Sequence, residues 1–207
     1  MNYSLDSLAR FLHFMDSLAG EAYAEAPSPG HDSVSRKSLE HLFAAYPFPP
    51  GARVLDVGCG QGVALAPFRE AGCHATGVTL NDTDVALCRA QGFDVQKMDQ
   101  SFLDFREASF DVVWARHVVE HSIMPYYTLT EFRRVLRPGG VLYLEVPGAN
   151  TLGHERNLNH YSVLGHEMWM ALLERSGFQV AETISYYLET VEGAPGDEYW
   201  GFYCVIR

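Results

Sequence analysis

The sequence predicts an α/β protein built on a mostly parallel sheet with helices on both faces. Three observations predict it. Short apolar runs recur along the chain, at ARVLDVG, HATGVTL, FDVQKMD, SFDVVWAR and GGVLYLEVP. Helix-patterned stretches alternate with them, and strands that alternate with helices pair in parallel because each helix carries the chain back across a sheet face. The first run ends in Asp56 and is followed by Gly58, Gly60 and Gly62, the bare backbone that a tight strand-to-helix turn needs. A chain of 207 residues fills one core, so one domain is expected.

The elements follow in order. Leu5, Leu8, Leu12, Met15 and Leu18 recur at helical spacing, and AEAPSPGHDS then breaks the pattern with two prolines and a glycine. A second helix, SVSRKSLEHLFAAY, runs into PFPPG; the two helices are expected as a lid, with His31, Ser33 or Arg36 over the site. QGVALAPFREAG, NDTDVALCRAQG and MPYYTLTEFRRVL are the helices between strands. After residue 148 come a polar segment, a helix LGHEMWMALLERSG, and two strands, FQVAETISYYLE and GFYCVIR, flanking EGAPGD as an antiparallel hairpin at a sheet edge. Tyr126, Tyr127, Tyr186 and Tyr187 read either as an apolar wall of the site or as core and interface residues.

Charge narrows the partners. The formal charge is -11, from 26 acids and 15 bases, and the densest basic clusters are Arg36-Lys37 and Arg133-Arg134-Arg137. Nucleic acid is therefore excluded as the expected partner, and a small molecule or peptide is favoured. No apolar run approaches the roughly 18 residues that span a bilayer. MNYSLDSLARFLHF has no basic stretch followed by a signal core, so no membrane partner and a cytoplasmic setting are expected. Cys59, Cys73, Cys88 and Cys204 show no zinc or disulfide spacing and read as small hydrophobes.

The glycine loop lacks the lysine and hydroxyl of a P-loop, and its spacing differs from the dinucleotide fingerprint. Alone it is weak evidence for a ligand, the alternative being a plain tight strand-to-helix turn. Asn81 and Asp82 follow the second strand, where they can meet a ribose diol. Asp99 ends the third, where it can accept from an exocyclic amine with Phe102 stacked on the ring, or can simply cap a helix. Together these strand ends describe a pocket for a nucleoside with a compact, non-phosphate tail.

VLDVGCGQG, GVTLN, MDQSF, FDVVWARHVVEHS and EFRRVLRPGGVLYLEVP, in that order, resemble the motifs of the class I S-adenosylmethionine-dependent methyltransferases over residues 40 to 147. The resemblance implies a Rossmann-like, mostly parallel seven-stranded sheet with an antiparallel last strand, and S-adenosyl-L-methionine as cofactor. It sets Asp56, Gly58, Cys59, Gly60 and Gly62 against the methionine part. Thr79 stands where an acid usually holds the ribose, a departure for which Asn81 or the Thr79 backbone compensates, with Leu80 beside them. Asp99 faces the adenine amine, Gln100 and Ser101 add contacts, and Arg116 begins the segment 116 to 121 at the sulfonium end. The implied organisation is a cap over residues 1–45, a cofactor core over 46–147 and a substrate side over 148–207.

His117 and His121, four residues apart, fall on one helical face. A zinc-protease motif is excluded because valine follows His117; His121 reads as structural and His117 as lining the site. GHERNLNHYS carries His154, Glu155, Arg156, Asn157, His160 and Tyr161 just beyond the fifth strand. It reads as an acceptor site, with His154 or His160 as general base, Arg156 holding an anionic handle and Tyr161 beside them. The alternative is a solvated loop with internal hydrogen bonds. A divalent ion among His117, His121, His154, Glu155 and His160 is weighed and not adopted. The expected activity is methyl transfer to an oxygen or nitrogen of a small polar metabolite. The alternatives are a non-catalytic binding protein or a peptide methyltransferase, and a homodimer is left open.

Overall fold

The computed structural model describes residues 4–21, 29–151, 154, 156–188 and 197–206. Two helices come first, α1 (Leu5–Ala19) and α2 (Pro29–Ala45). The alternating part follows as β1 (Arg53–Val57), α3 (Leu65–Glu70), β2 (His74–Thr79), α4 (Asp82–Ala90), β3 (Asp94–Lys97), β4 (Phe110–Arg116), α5 (Pro125–Val135) and β5 (Leu136–Pro147). The chain closes with α6 (His166–Arg175), β6 (Phe178–Leu188) and β7 (Asp197–Ile206).

The seven strands lie in the order β3-β2-β1-β4-β5-β7-β6. β7 runs antiparallel to both of its neighbours, and the other pairings are parallel. The expected sheet, including its antiparallel last strand, is therefore present. Residues 192–196 of EGAPGD lie outside the described residues, and Asp197 begins β7.

β4 explains how the sheet is held. Strand side chains alternate faces, so Val112 and Trp114 point one way and Val113 and Ala115 the other. Val112 and Trp114 join Leu39 and Leu42 of α2, Phe68 of α3 and Tyr143 of β5 in one core. Val113 and Ala115 join Leu129 and Phe132 of α5 and Trp169 and Leu173 of α6 in the other. A strand buried on both faces must read as a nearly unbroken apolar run, as FDVVWA does.

Three boundaries differ from expectation. α2 begins at Pro29, because proline is compatible with a first helical turn whose amides have no intrahelical acceptor. α3 is one and a half turns rather than the whole of QGVALAPFREAG, because Gly62 takes φ 87° and delays the helix. β5 begins at Leu136, which pairs with Phe110 ahead of a register shift.

Candidate functional site

A cavity of about 320 Å³ lies at the carboxyl ends of β1, β2 and β4. There the strand order departs in both directions from the β1–β4 pair, the usual place for a ligand in an open parallel sheet. Its walls carry Asp56 to Gln61 from the first turn, Thr79 and Leu80 from β2, and Asp99 to Ser101 from beyond β3. Arg116 ends β4 there with His117 next, and His121, Asn159 and Tyr161 complete that side. Met15 and Leu18 of α1 and Asp32 and Ser35 of α2 stand over it.

Gly58 and Cys59 both donate their amides to the Val78 carbonyl, at 2.9 and 3.0 Å, which ties the turn to β2. Gly58 has φ 71°, and a Cβ there would sit 2.7 Å from Val118 Cγ2. Only glycine satisfies both the torsion and the approach. Gly58→Ala is expected to cost about 1–3 kcal/mol of stability, the usual penalty of overpacking. Urea unfolding reads it, and an unchanged midpoint would mean that Val118 moves aside freely. Gly62 is not on the cavity wall; it turns toward α4, where a Cβ would lie 3.2 Å from Cys88 Sγ.

Asp56 is buried, and its Oδ2 has no hydrogen-bond partner among the described residues. Burial, with Cys88 adding and Arg116 opposing, pushes its carboxyl up to about 8. Asn81 does not line the cavity. Its Oδ1 accepts from the amides of Thr83 and Asp84, at 2.9 and 3.2 Å, so it is the N-cap of α4. Asp82, expected beside it, pairs with Lys97 at 2.7 Å on the surface. The carboxylate on that wall belongs to Asp84, a buried group that sequence reasoning missed and whose carboxyl burial pushes up. Its place in the first turn after a good N-cap was the available signal.

Asp99 Oδ1 accepts the Ser101 amide at 2.7 Å, Gln100 Nε2 donates to the Val118 carbonyl at 2.8 Å, and Ser101 Oγ lies 2.8 Å from Thr128 Oγ1. All three residues remain on the wall as expected. Phe102 does not; it packs against Tyr127 with ring centroids 5.8 Å apart, so the expected stacking partner is absent from the wall. Tyr126, Tyr127, Tyr186 and Tyr187 do not line it either. Of the residues expected in a lid, Ser33 is exposed and Arg36 borders a separate recess beside Phe43 and Pro67. The side chain of His31 lies outside the described residues.

Arg116 and His117 converge on Glu145, a fully buried acid in β5 that the sequence reading passed over within an apolar run. Arg116 Nε and His117 Nε2 lie 2.6 and 2.8 Å from its Oε1, and the Tyr143 hydroxyl donates to Oε2 at 2.5 Å. Burial alone would raise this carboxyl, but Arg116, then His117 and Tyr143, hold it down at about 2. His117 has φ 53°, a conformation uncommon for a side chain of its size. The expected helical face for His117 and His121 is thus absent: the chain turns at His117 and continues as a short 3-10 turn, Val119–His121.

The histidines expected at an acceptor site are set behind the wall. Neither His154 nor His160 lines the cavity. Their Nδ1 atoms lie 2.5 Å apart, and His160 packs edge-on against His121 at 4.6 Å. Burial, then the neighbouring His121, lowers both to about 4. Arg156 is exposed and off the wall, whereas Tyr161 lines it as expected; Glu155 lies outside the described residues.

Comparison with known proteins agrees with this geometry. A family profile described as a methyltransferase domain matches residues 55–144. A malonyl-[acyl-carrier protein] O-methyltransferase of Enterobacter lignolyticus (strain SCF1) is 33% identical over 124 residues, 59% of this chain and 49% of that protein. A ubiquinone biosynthesis O-methyltransferase of Aromatoleum aromaticum is 30% identical over 132 residues, 60% of this chain and 54% of that one. The chain spans about half the length of these curated relatives. Among solved structures, the [4+2]-cyclase SpnF is similar with a TM-score of 0.71 and 20% identity, covering 94% of this chain and 92% of that one, a likeness of fold.

Proposed function

The chain carries a methyltransferase domain in the class I S-adenosylmethionine-dependent methyltransferase fold, and on that premise we propose that it methylates an oxygen of a small polar metabolite. One observation carries the reading: a cavity that follows Asp56, the glycine turn, Thr79 and Asp99 along successive strand ends and finishes at Arg116 and His117. The cofactor's methionine part would lie along the glycine turn near Asp56, its ribose near Thr79 and Asp84, and its adenine near Asp99. The acceptor would enter between His117, His121, Asn159 and Tyr161. The bound cofactor supplies a methyl group on a sulfonium. In-line transfer would join that carbon to an ionised acceptor oxygen, with the carbon–sulfur electron pair returning to sulfur. The chain's share is alignment of the two and exclusion of water, for which α1 and α2 serve as cap.

Oxygen is favoured over nitrogen because the two relatives named above are O-methyltransferases by name. The net charge of -11 supports a small-molecule acceptor rather than nucleic acid. Among the described residues no helix is long and apolar enough to cross a membrane, and we read the setting as cytoplasmic. Calorimetric titration with S-adenosylmethionine and S-adenosylhomocysteine tests the cofactor, and transfer of a labelled methyl group to a panel of carboxylic acids and phenols tests the reaction. We expect saturable binding of both and label in an O-methyl product. No heat with either would overturn the cofactor site. Binding without transfer to any acceptor would favour a protein that keeps the fold for other chemistry.

A further inference from the structure

Beside the cavity, Glu120, His121 and His160 each bring one ligand-type atom to within 4.8 Å of the others. We propose that these three side chains form a site for a divalent metal of the zinc class, opening onto the cavity through His121. Glu120 is 1% exposed, and its Oε2 has no hydrogen-bond partner among the described residues. A buried carboxylate oxygen without a donor is costly, and a cation relieves that cost. His121 Nδ1–H donates to the Asn159 carbonyl at 2.9 Å, which places the lone pair on Nε2. That is the way a metal-ligating imidazole is usually oriented.

The third ligand is already held beside the other two. The Ser162 amide donates to the Glu120 carbonyl at 3.0 Å and its hydroxyl to the Ser122 carbonyl at 2.6 Å, so the segment carrying His160 is pinned to the 3-10 turn. His160 has His154 Nδ1 at 2.5 Å on one ring nitrogen and Asn157 Nδ2 at 3.1 Å on the other. Binding requires it to exchange one of these for the metal.

Two imidazoles and one carboxylate are a donor set that suits zinc with a fourth position open, whereas magnesium and calcium prefer oxygen alone. The role, though not the binding, rests on the methyl-transfer reading. The open position takes the acceptor hydroxyl, whose proton passes to water because the metal acidifies it. The resulting oxyanion attacks the methyl carbon.

Chelator-treated protein should be titrated with zinc chloride, and separately loaded with cobalt(II) for its visible spectrum. One zinc per chain is expected. Glu120→Gln and His160→Gln should each weaken it roughly 100-fold or more while S-adenosylhomocysteine still binds. The cobalt spectrum should show strong ligand-field bands without thiolate charge transfer. Absence of stoichiometric zinc, a thiolate band from the buried cysteines, or folded variants that bind zinc as tightly as the parent would overturn the site. Should a variant fail to fold, the cobalt spectrum of the parent decides alone. S-adenosylhomocysteine binding without zinc removes the metal and leaves the proposed function; zinc binding without S-adenosylhomocysteine does the reverse.

Discussion

Arg116→Ala is expected to lower the free energy of unfolding by about 3–5 kcal/mol, the usual cost of breaking a buried ion pair from one side. Glu145 is fully buried, and Arg116 is its only guanidinium among the described residues, 2.6 Å away. His117 and Tyr143 would be left to hold the charge, and neither carries a permanent positive charge of its own. Glu145 is held at about 2 in the fold, below its ordinary 4.5. Its contribution is therefore present above pH 4.5 and lost as pH falls toward 2. The deficit of the variant should be largest near neutrality and narrow in acid. Urea unfolding at pH 7 measures it, and Arg116→Met combined with Glu145→Gln should recover most of the loss because no charge is then stranded. A single-variant loss below about 1 kcal/mol would place this pair with surface ion pairs.

Asp56→Asn should move stability and cofactor affinity in opposite directions. The Asp56 carboxyl stands at about 8 in the fold against an ordinary 3.8, chiefly through burial. Between those values the native state keeps a proton that the unfolded chain has released. Stability is full below pH 3.8 and falls as pH rises toward 8, by up to about 1.4 kcal/mol per pH unit. Asparagine has no such titration, so the variant should gain on the parent steadily across that window. In the proposed site the same carboxyl would meet the methionine amine, whose positive charge would draw it into its ionised form on binding, so its loss should weaken S-adenosylhomocysteine binding at least 10-fold, a charge-assisted hydrogen bond being worth about 1.5–3 kcal/mol. Thermal unfolding of the ligand-free proteins from pH 4 to 8, with calorimetry at pH 7.5, checks both halves. Parallel pH profiles would show that Asp56 ionises normally, and unchanged affinity would remove it from the site.

The cavity wall proposed for the cofactor was legible because each of its parts is a short local pattern. Asp56, Gly58, Gly60, Thr79, Leu80, Asp99, Gln100, Ser101 and Arg116 all lie on the cavity wall, since a strand that ends must deliver its next residues to the sheet edge. Asn81 caps α4 instead of lining the cavity. An asparagine before a helix satisfies that helix first, and it is Asp84, three residues on, that reaches the wall beside Thr79.

By itself the sequence determined the alternation of strands and helices, the sharp turn after Asp56 and the closing antiparallel strand, because periodicity and glycine act within a few residues. Only the tertiary structure decided what the remaining titratable groups do. Glu145 and Arg116 are 29 positions apart and become partners because β4 and β5 pair in the register that sets them side by side. The segment from His154 to Tyr161 has no period to assign a face. Its histidines turned inward because His160 packs on His121 and Ser162 bonds to the Glu120 carbonyl, contacts that exist only after the sheet has brought the two loops together.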